Sequence, residues 1–308
     1  MLDRTNFRGI YVIVVTPFTD TLELDEAALR ATVRFSLDAG VHGVVANALA
    51  SEGGYLSEPE RRRAAEIVVE EAKGKVPAII AVSAPHYRMA ADYARHAESI
   101  GADAIMALPP ILHPATVSDI RTYYQELSKA TALPLVLQNA MGPGATTMSA
   151  ALLAELVQTL PNARFVKEET GYPAQTAGEI IRLAGDKLHG VMGGKAGKTF
   201  MEELRHGVSG TMPACEIADV HVALWNAIDA KDDKRARQIF QRLLPLIDLE
   251  ATYGMPLMKE VLKMRGVIPS AAVRQAGFRM LDDAAREEAA TIMDDLTEFM
   301  LPAYQHRR

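Results

Sequence analysis

Lys167, Glu168 and Glu169 follow the short apolar run Phe165-Val166. Side chains alternate along an extended segment, so Lys167 and Glu169 share the face of Phe165 while Glu168 points away. Were that face to line the inside of a closed sheet, the lysine would lose water. Desolvation disfavours the ammonium and supplies the neutral amine that attacks a ketone to form an iminium. A carboxylate beside the iminium can remove the proton it acidifies, or can stand as the lysine's counter-ion. The plain alternative is a lysine paired with Glu168 or Glu169 and reaching to solvent.

Other groups fall at comparable places. Residues 48–54, Ala-Leu-Ala-Ser-Glu-Gly-Gly, offer small side chains and free backbone N–H groups that suit a carboxylate, with Ala50 and Ser51 as the candidate contacts. An ordinary strand-to-helix turn has the same composition. His86 and His113 stand in predicted loops, whereas His96 and His206 fall in predicted helices. Gln138, Gly193, Gly194 and Met212 complete the candidate substrate-facing set. No His/Cys/Asp spacing fits a metal site, so neither a metal nor a separate cofactor is expected.

Those residues need a frame that gathers strand ends. The recurring phrase is an amphipathic helix that stops at Gly, followed at once by a short apolar strand: Ala39-Gly40 precedes 43–47, and Gly101 precedes 103–108. Further strands are predicted at 11–16, 77–83, 134–138, 164–167, 189–192 and 210–213. Eight strands apolar on both faces, each followed by a helix, predict a parallel (β/α)8 TIM barrel, in which the C-terminal strand ends form the site. An open doubly wound sheet is the alternative, but Thr16-Pro17-Phe18 stands where its glycine fingerprint would follow the first strand. Ser57 and Glu60 read as a capping box with Pro59 in the first turn. Helices at 219–230, 234–246, 255–264 and 283–300 end the chain. The expected division is a catalytic barrel at 1–228 and a C-terminal helical region at 229–308 packed on it.

At 308 residues with 49% hydrophobic content, the chain buries a substantial core. A net charge of −6 gives no broad basic field, so nucleic acid is not an expected partner. The single cysteine, Cys215, excludes an internal disulfide framework, and the opening MLDRTNFRGI lacks the apolar core of a signal peptide. Apolar runs such as 76–83 and 104–110 are far shorter than the roughly 20 residues that cross a bilayer. A cytoplasmic protein with no membrane partner is expected.

Taken together, Thr16-Pro17-Phe18, Ser51-Glu52, Pro109-Pro110, Gln138-Asn139, Lys167-Glu-Glu-Thr-Gly171 and Gly207-Val-Ser-Gly210 make the chain resemble the dihydrodipicolinate synthase / N-acetylneuraminate lyase superfamily over nearly its whole length. That resemblance implies a class I lyase acting on pyruvate or longer 2-oxo acids, with Lys167 forming the Schiff base and a homo-oligomeric assembly. Most members carry Gly-Thr-Thr-Gly-Glu where this chain has Ala48-Leu-Ala-Ser-Glu52, and a proton-carrying tyrosine where it has Gln138. The position of a substrate-binding arginine falls at Pro143. A glutamine amide cannot shuttle protons near neutral pH.

The chain is more similar to the branch containing 2-keto-3-deoxy-L-arabonate dehydratase, through Gln138, Glu169, Ser51-Glu52 and His86-Tyr87; Leu49 and Ala50 depart from it. The implied activity is dehydration of a 3-deoxy-2-oxo sugar acid, with Glu169 as base at C3 and Gln138 orienting the substrate. The alternatives are an aldolase yielding pyruvate plus an aldehyde, a deaminase of hydroxylated pyrroline carboxylates, and a non-catalytic barrel that binds a small molecule.

Overall fold

The computed structural model describes residues 6–142 and 145–306. Pro143 therefore lies outside the described residues. Eight parallel strands, β1 (Gly9–Ile13), β2 (Gly43–Ala46), β3 (Ala78–Ala81), β4 (Ala104–Ala107), β5 (Leu135–Ala140), β6 (Ala163–Glu169), β7 (Gly190–Gly193) and β8 (Gly210–Thr211), close into a barrel in chain order. The helices between and after them are α1 (Glu26–Asp38), α2 (Glu58–Ala72), α3 (Tyr87–Ser99), α4 (Val117–Ala130), α5 (Ala150–Thr159), α6 (Pro173–Ala184), α7 (Phe200–Glu203) and α8 (Ala218–Asp229). The (β/α)8 expectation is met. Every position of β1 to β5 is buried, as strands covered on both faces require.

Three further helices follow: α9 (Asp233–Tyr253), α10 (Met255–Met264) and α11 (Asp283–Leu296). The sequence pattern ends the first of these at 246, but α9 continues to Tyr253 with Pro245 inside it. Buried Leu243, Leu246 and Ile247 keep one apolar face running past the proline, and that packing holds the helix together. The capping box at Ser57 and Glu60 is present, with Pro59 in the first turn of α2.

By packing, the chain forms two compact units. One comprises Met1–Arg8 with Pro77–Met212 and holds β3 to β8; the other comprises Gly9–Val76 with Pro213–Arg308 and holds β1, β2 and the C-terminal helices. Within the second unit α8 packs on β1 and on α9. Arg265 at the end of α10 is clamped there, donating to Asp219 at 2.5 and 3.0 Å and to the carbonyls of Glu216 and Tyr304.

In the first unit, β5 and β6 carry the longest paired register, from Leu135 opposite Ala163 to Ala140 opposite Glu169. Both strands run two residues beyond the predicted ends, 138 and 167. Side chains bridge the added residues: Asn139 donates to Glu168 and Gln138 donates to Glu169, each at 2.7 Å. At the other end of β6 the Phe165 ring stacks on Phe7, with centroids 4.3 Å apart.

Candidate active site

Strand alternation on β6 places Phe165, Lys167 and Glu169 on one face, and the register sets Gln138 opposite Lys167. Lys167 is 5% exposed and its Nζ lies 3.1 Å from Glu169 Oε1. The solvent-reaching alternative does not occur. The same oxygen accepts a hydrogen bond from Gln138 Nε2, so one carboxylate atom takes both neighbours. Glu169 Oε2 lies over Gly194, only 2.1 Å from where a Cβ on that residue would stand. The glycine is what admits the carboxylate.

Glu168 points the other way, as alternation requires. It accepts from Asn139 Nδ2 and from both the backbone and the hydroxyl of Thr170. Burial nevertheless raises its carboxyl above the ordinary range, against those donors and with Glu169 adding repulsion. Asn139 also exchanges two bonds with the backbone of Met148, which ties the loop after β5 to the strand end.

At the end of β7, Gly193 follows the fully buried Met192, the register partner of Lys167, and the Met212 N–H donates to the Gly193 carbonyl at 3.0 Å. Gln138, Lys167, Glu169, Gly193, Gly194 and Met212 thus converge in one compact unit. Among the described residues, no hydrogen bond or ring contact links His86 to them. It is exposed, caps α3 by accepting from the Arg88 N–H, and lies against the Tyr87 ring.

Ala50 and Ser51 sit in the other unit, on a short helical turn, Leu49–Ser51, that follows β2. Thr16 Oγ1 donates to the Ser51 carbonyl at 2.7 Å. The Ser51 hydroxyl is buried and, among the described residues, has no partner, which leaves it able to hold a ligand oxygen. Glu52 is turned to a different task. Its carboxylate meets Lys259 Nζ at 2.6 Å and accepts from the N–H groups of Arg274 and Gln275. Lys259 is wholly buried, 4.1 Å over the Phe18 ring, and burial brings its ammonium down to about 8 despite Glu52.

Two buried ionisable residues, one in each unit, escaped the sequence reading. Lys259 stands in an ordinary-looking helix, Met-Pro-Leu-Met-Lys-Glu, and nothing local marks it. Glu203 in α7 is 1% exposed, accepts from Thr199 Oγ1 at 2.6 Å, and is pushed up to about 7 chiefly by burial. Its one sequence signal is indirect: paired glycines at a strand end mark a close approach by something else.

A closed parallel barrel with a buried lysine and carboxylate sharing one strand face defines the class as a (β/α)8 protein with its polar groups at the C-terminal strand ends. The profile of the dihydrodipicolinate synthetase family matches residues 6–295, and the chain belongs to that family of lyases. It is 33% identical over 271 residues to L-2-keto-3-deoxyarabonate dehydratase of Azospirillum brasilense, covering 85% of this chain and 86% of that protein. It is 30% identical over 248 residues to 4-hydroxy-tetrahydrodipicolinate synthase of Methanopyrus kandleri, covering 77% and 79%. The crystal structure of dihydrodipicolinate synthase from Rhodopseudomonas palustris superposes with a TM-score of 0.86 at 26% identity, covering 96% of this chain and 99% of that one. Among the described residues no helix is long and apolar enough to cross a membrane.

Proposed function

We propose that the protein dehydrates a 3-deoxy-2-oxo sugar acid of the 2-keto-3-deoxy-L-arabonate type through an iminium on Lys167. The observation that carries this reading is the shared oxygen: Lys167 Nζ and Gln138 Nε2 both meet Glu169 Oε1, while Oε2 carries neither of those bonds. Glu169 is the titratable group in contact with the lysine, and a glutamine stands where a proton-carrying tyrosine would serve a synthase or an aldolase.

The steps follow from that geometry. Glu169 takes the ammonium proton, the amine attacks the C2 ketone, and the returned proton leaves with the carbinolamine oxygen as water, forming the iminium. The iminium withdraws electrons from C3, whose proton passes to Glu169 as the enamine forms. The enamine expels the C4 hydroxyl, which departs as water with that proton. The C3=C4 unsaturated iminium that results loses the C5 C–H and O–H protons and gains protons at C4 and C3, which turns C5 into an aldehyde; hydrolysis then frees Lys167 and releases 2-oxoglutarate semialdehyde for the five-carbon substrate. The Ser51 hydroxyl and the Ala50 N–H would hold the carboxylate, the Ser51 N–H being engaged by the Ala48 carbonyl; Gln138 would orient the substrate; and His86, Gly193, Gly194 and Met212 would border it.

The relatedness to an arabonate-derived dehydratase supports the substrate class. We also infer a homo-oligomer, from family membership. A reducing, cytoplasmic setting fits Cys215, whose buried thiol is pushed up to about 12. The test is borohydride trapping followed by assay of a panel of 3-deoxy-2-oxo acids. An adduct on Lys167 together with semialdehyde is the expected result. Pyruvate plus an aldehyde would make it an aldolase, release of ammonia from a pyrroline carboxylate would make it a deaminase, and no adduct would leave a binding protein.

A further inference from the structure

The two glycines at the end of β7 are approached from opposite sides. A Cβ on Gly194 would stand 2.1 Å from Glu169 Oε2, and a Cβ on Gly193 would stand 1.9 Å from Glu203 Oε2. Consecutive strand residues project to opposite faces, so two carboxyl groups flank one bare stretch of backbone. Glu203 reaches its place from α7, beyond the strand, and is 1% exposed. Thr199 serves its Oε1, whereas Oε2 is buried with no hydrogen-bond partner among the described residues. A buried orphan carboxyl oxygen is costly to keep for structure alone.

We propose that Glu203 is a positioning residue for the base of the reaction, acting on Glu169 electrostatically through the side-chain-free backbone of Gly193 and Gly194. This rests on the assignment of Lys167 and Glu169 above. When Glu203 is ionised, its charge repels the Glu169 carboxylate and favours transfer of the C3 proton onto it. When Glu203 carries a proton, that push is absent. The medium between them is protein rather than water, so the interaction is little screened.

The charged groups that act on Glu203 are Glu168 and Glu169 from β6 and Glu202 from its own helix, and all three favour retention of its proton. Glu179 and Arg182 of α6, and Arg205 and His206 of the turn after α7, lie exposed on the elements packed beside it. The transition of Glu203 from neutral to charged falls near pH 7, within the working range.

The experiment measures deuterium exchange into the methyl group of pyruvate, at saturating pyruvate, from pH 5.5 to 9. Borohydride trapping at Lys167 is followed in parallel. Wild type should exchange several-fold faster above pH 7.5 than below pH 6. Glu203→Gln should form the same adduct but keep the slow rate at every pH. Thr199→Val removes the donor that favours the charged form, and should move the rise to higher pH with the plateau intact. If Glu203→Gln does not fold, the Thr199→Val profile decides. A variant profile that overlays wild type, with the adduct present, overturns the role of Glu203 alone. Absence of the adduct from wild type overturns this inference together with the proposed function.

Discussion

Gln138 and Glu169 meet across the β5–β6 seam, amide nitrogen to carboxylate oxygen, at 2.7 Å. The bond fixes which carboxylate oxygen is occupied and leaves the other over Gly194. Glu169→Gln should retain the Lys167 adduct while C3 proton exchange falls by about 100-fold or more. Mass spectrometry after borohydride and exchange followed by NMR read the two effects separately. Unchanged exchange would assign the base elsewhere.

Gly194→Ala tests the same placement without replacing a polar side chain. The new methyl would stand on Glu169 Oε2, and the carboxylate, a flexible side-chain end, must rotate away. A displacement of about 1 Å at a reacting group costs on the order of 100-fold in rate. The turnover rate should fall by that order while the thermal midpoint moves little. Activity near wild type would show that the contact is irrelevant to chemistry.

Asn139→Ala should act on stability. It removes one donor from the buried Glu168 carboxylate and leaves the Met148 N–H and C=O without partners. Losing buried partners of this kind costs about 2–3 kcal/mol. Urea unfolding that gave a loss under about 0.5 kcal/mol would contradict the bonding described for this seam.

Lys259→Met strands the Glu52 carboxylate inside the second unit and should cost about 3–5 kcal/mol, because an unpaired buried charge has lost its partner. Pairing it with Glu52→Gln keeps an acceptor for the Arg274 and Gln275 N–H groups and removes the charge. The double variant should recover most of the loss in equilibrium unfolding. Additive losses would mean that the two side chains act independently.

Stability should fall as pH rises from 5 to 7.5. Glu203 releases its proton at an ordinary 4.5 when unfolded but near 7 when folded, so the folded chain binds more protons through that window. Burial raises Glu216 in the same sense, and burial together with the neighbouring Glu216 raises Glu250. Their contribution is fully present below pH 4.5 and is lost as pH passes the folded values. Glu60, held down to about 2 by Arg274, titrates below this range and does not oppose the trend. Urea midpoints should decline across the window in wild type and decline less in Glu250→Gln; parallel curves would refute the assignment.

The alternation of Phe165, Lys167 and Glu169 was legible from residue order, because a strand's period of two is a property of the chain itself. So were the repeated helix-Gly-strand phrase, hence the closed barrel, and the capping box at Ser57. These are local rules, and one segment obeys them without knowing its neighbours.

What tertiary structure decided is where separate segments meet. The binding of Gln138 to Glu169 and of Asn139 to Glu168 depends on strand register. The turning of Glu52 to Lys259 depends on where α10 packs, and the approach of Glu203 to Gly193 depends on a helix crossing outside β7. Such contacts join residues far apart in the chain, and each buried charge finds its partner only after the backbone has closed and water has been excluded. Residue order therefore specified the lysine and its frame, whereas folding assigned the charges around it.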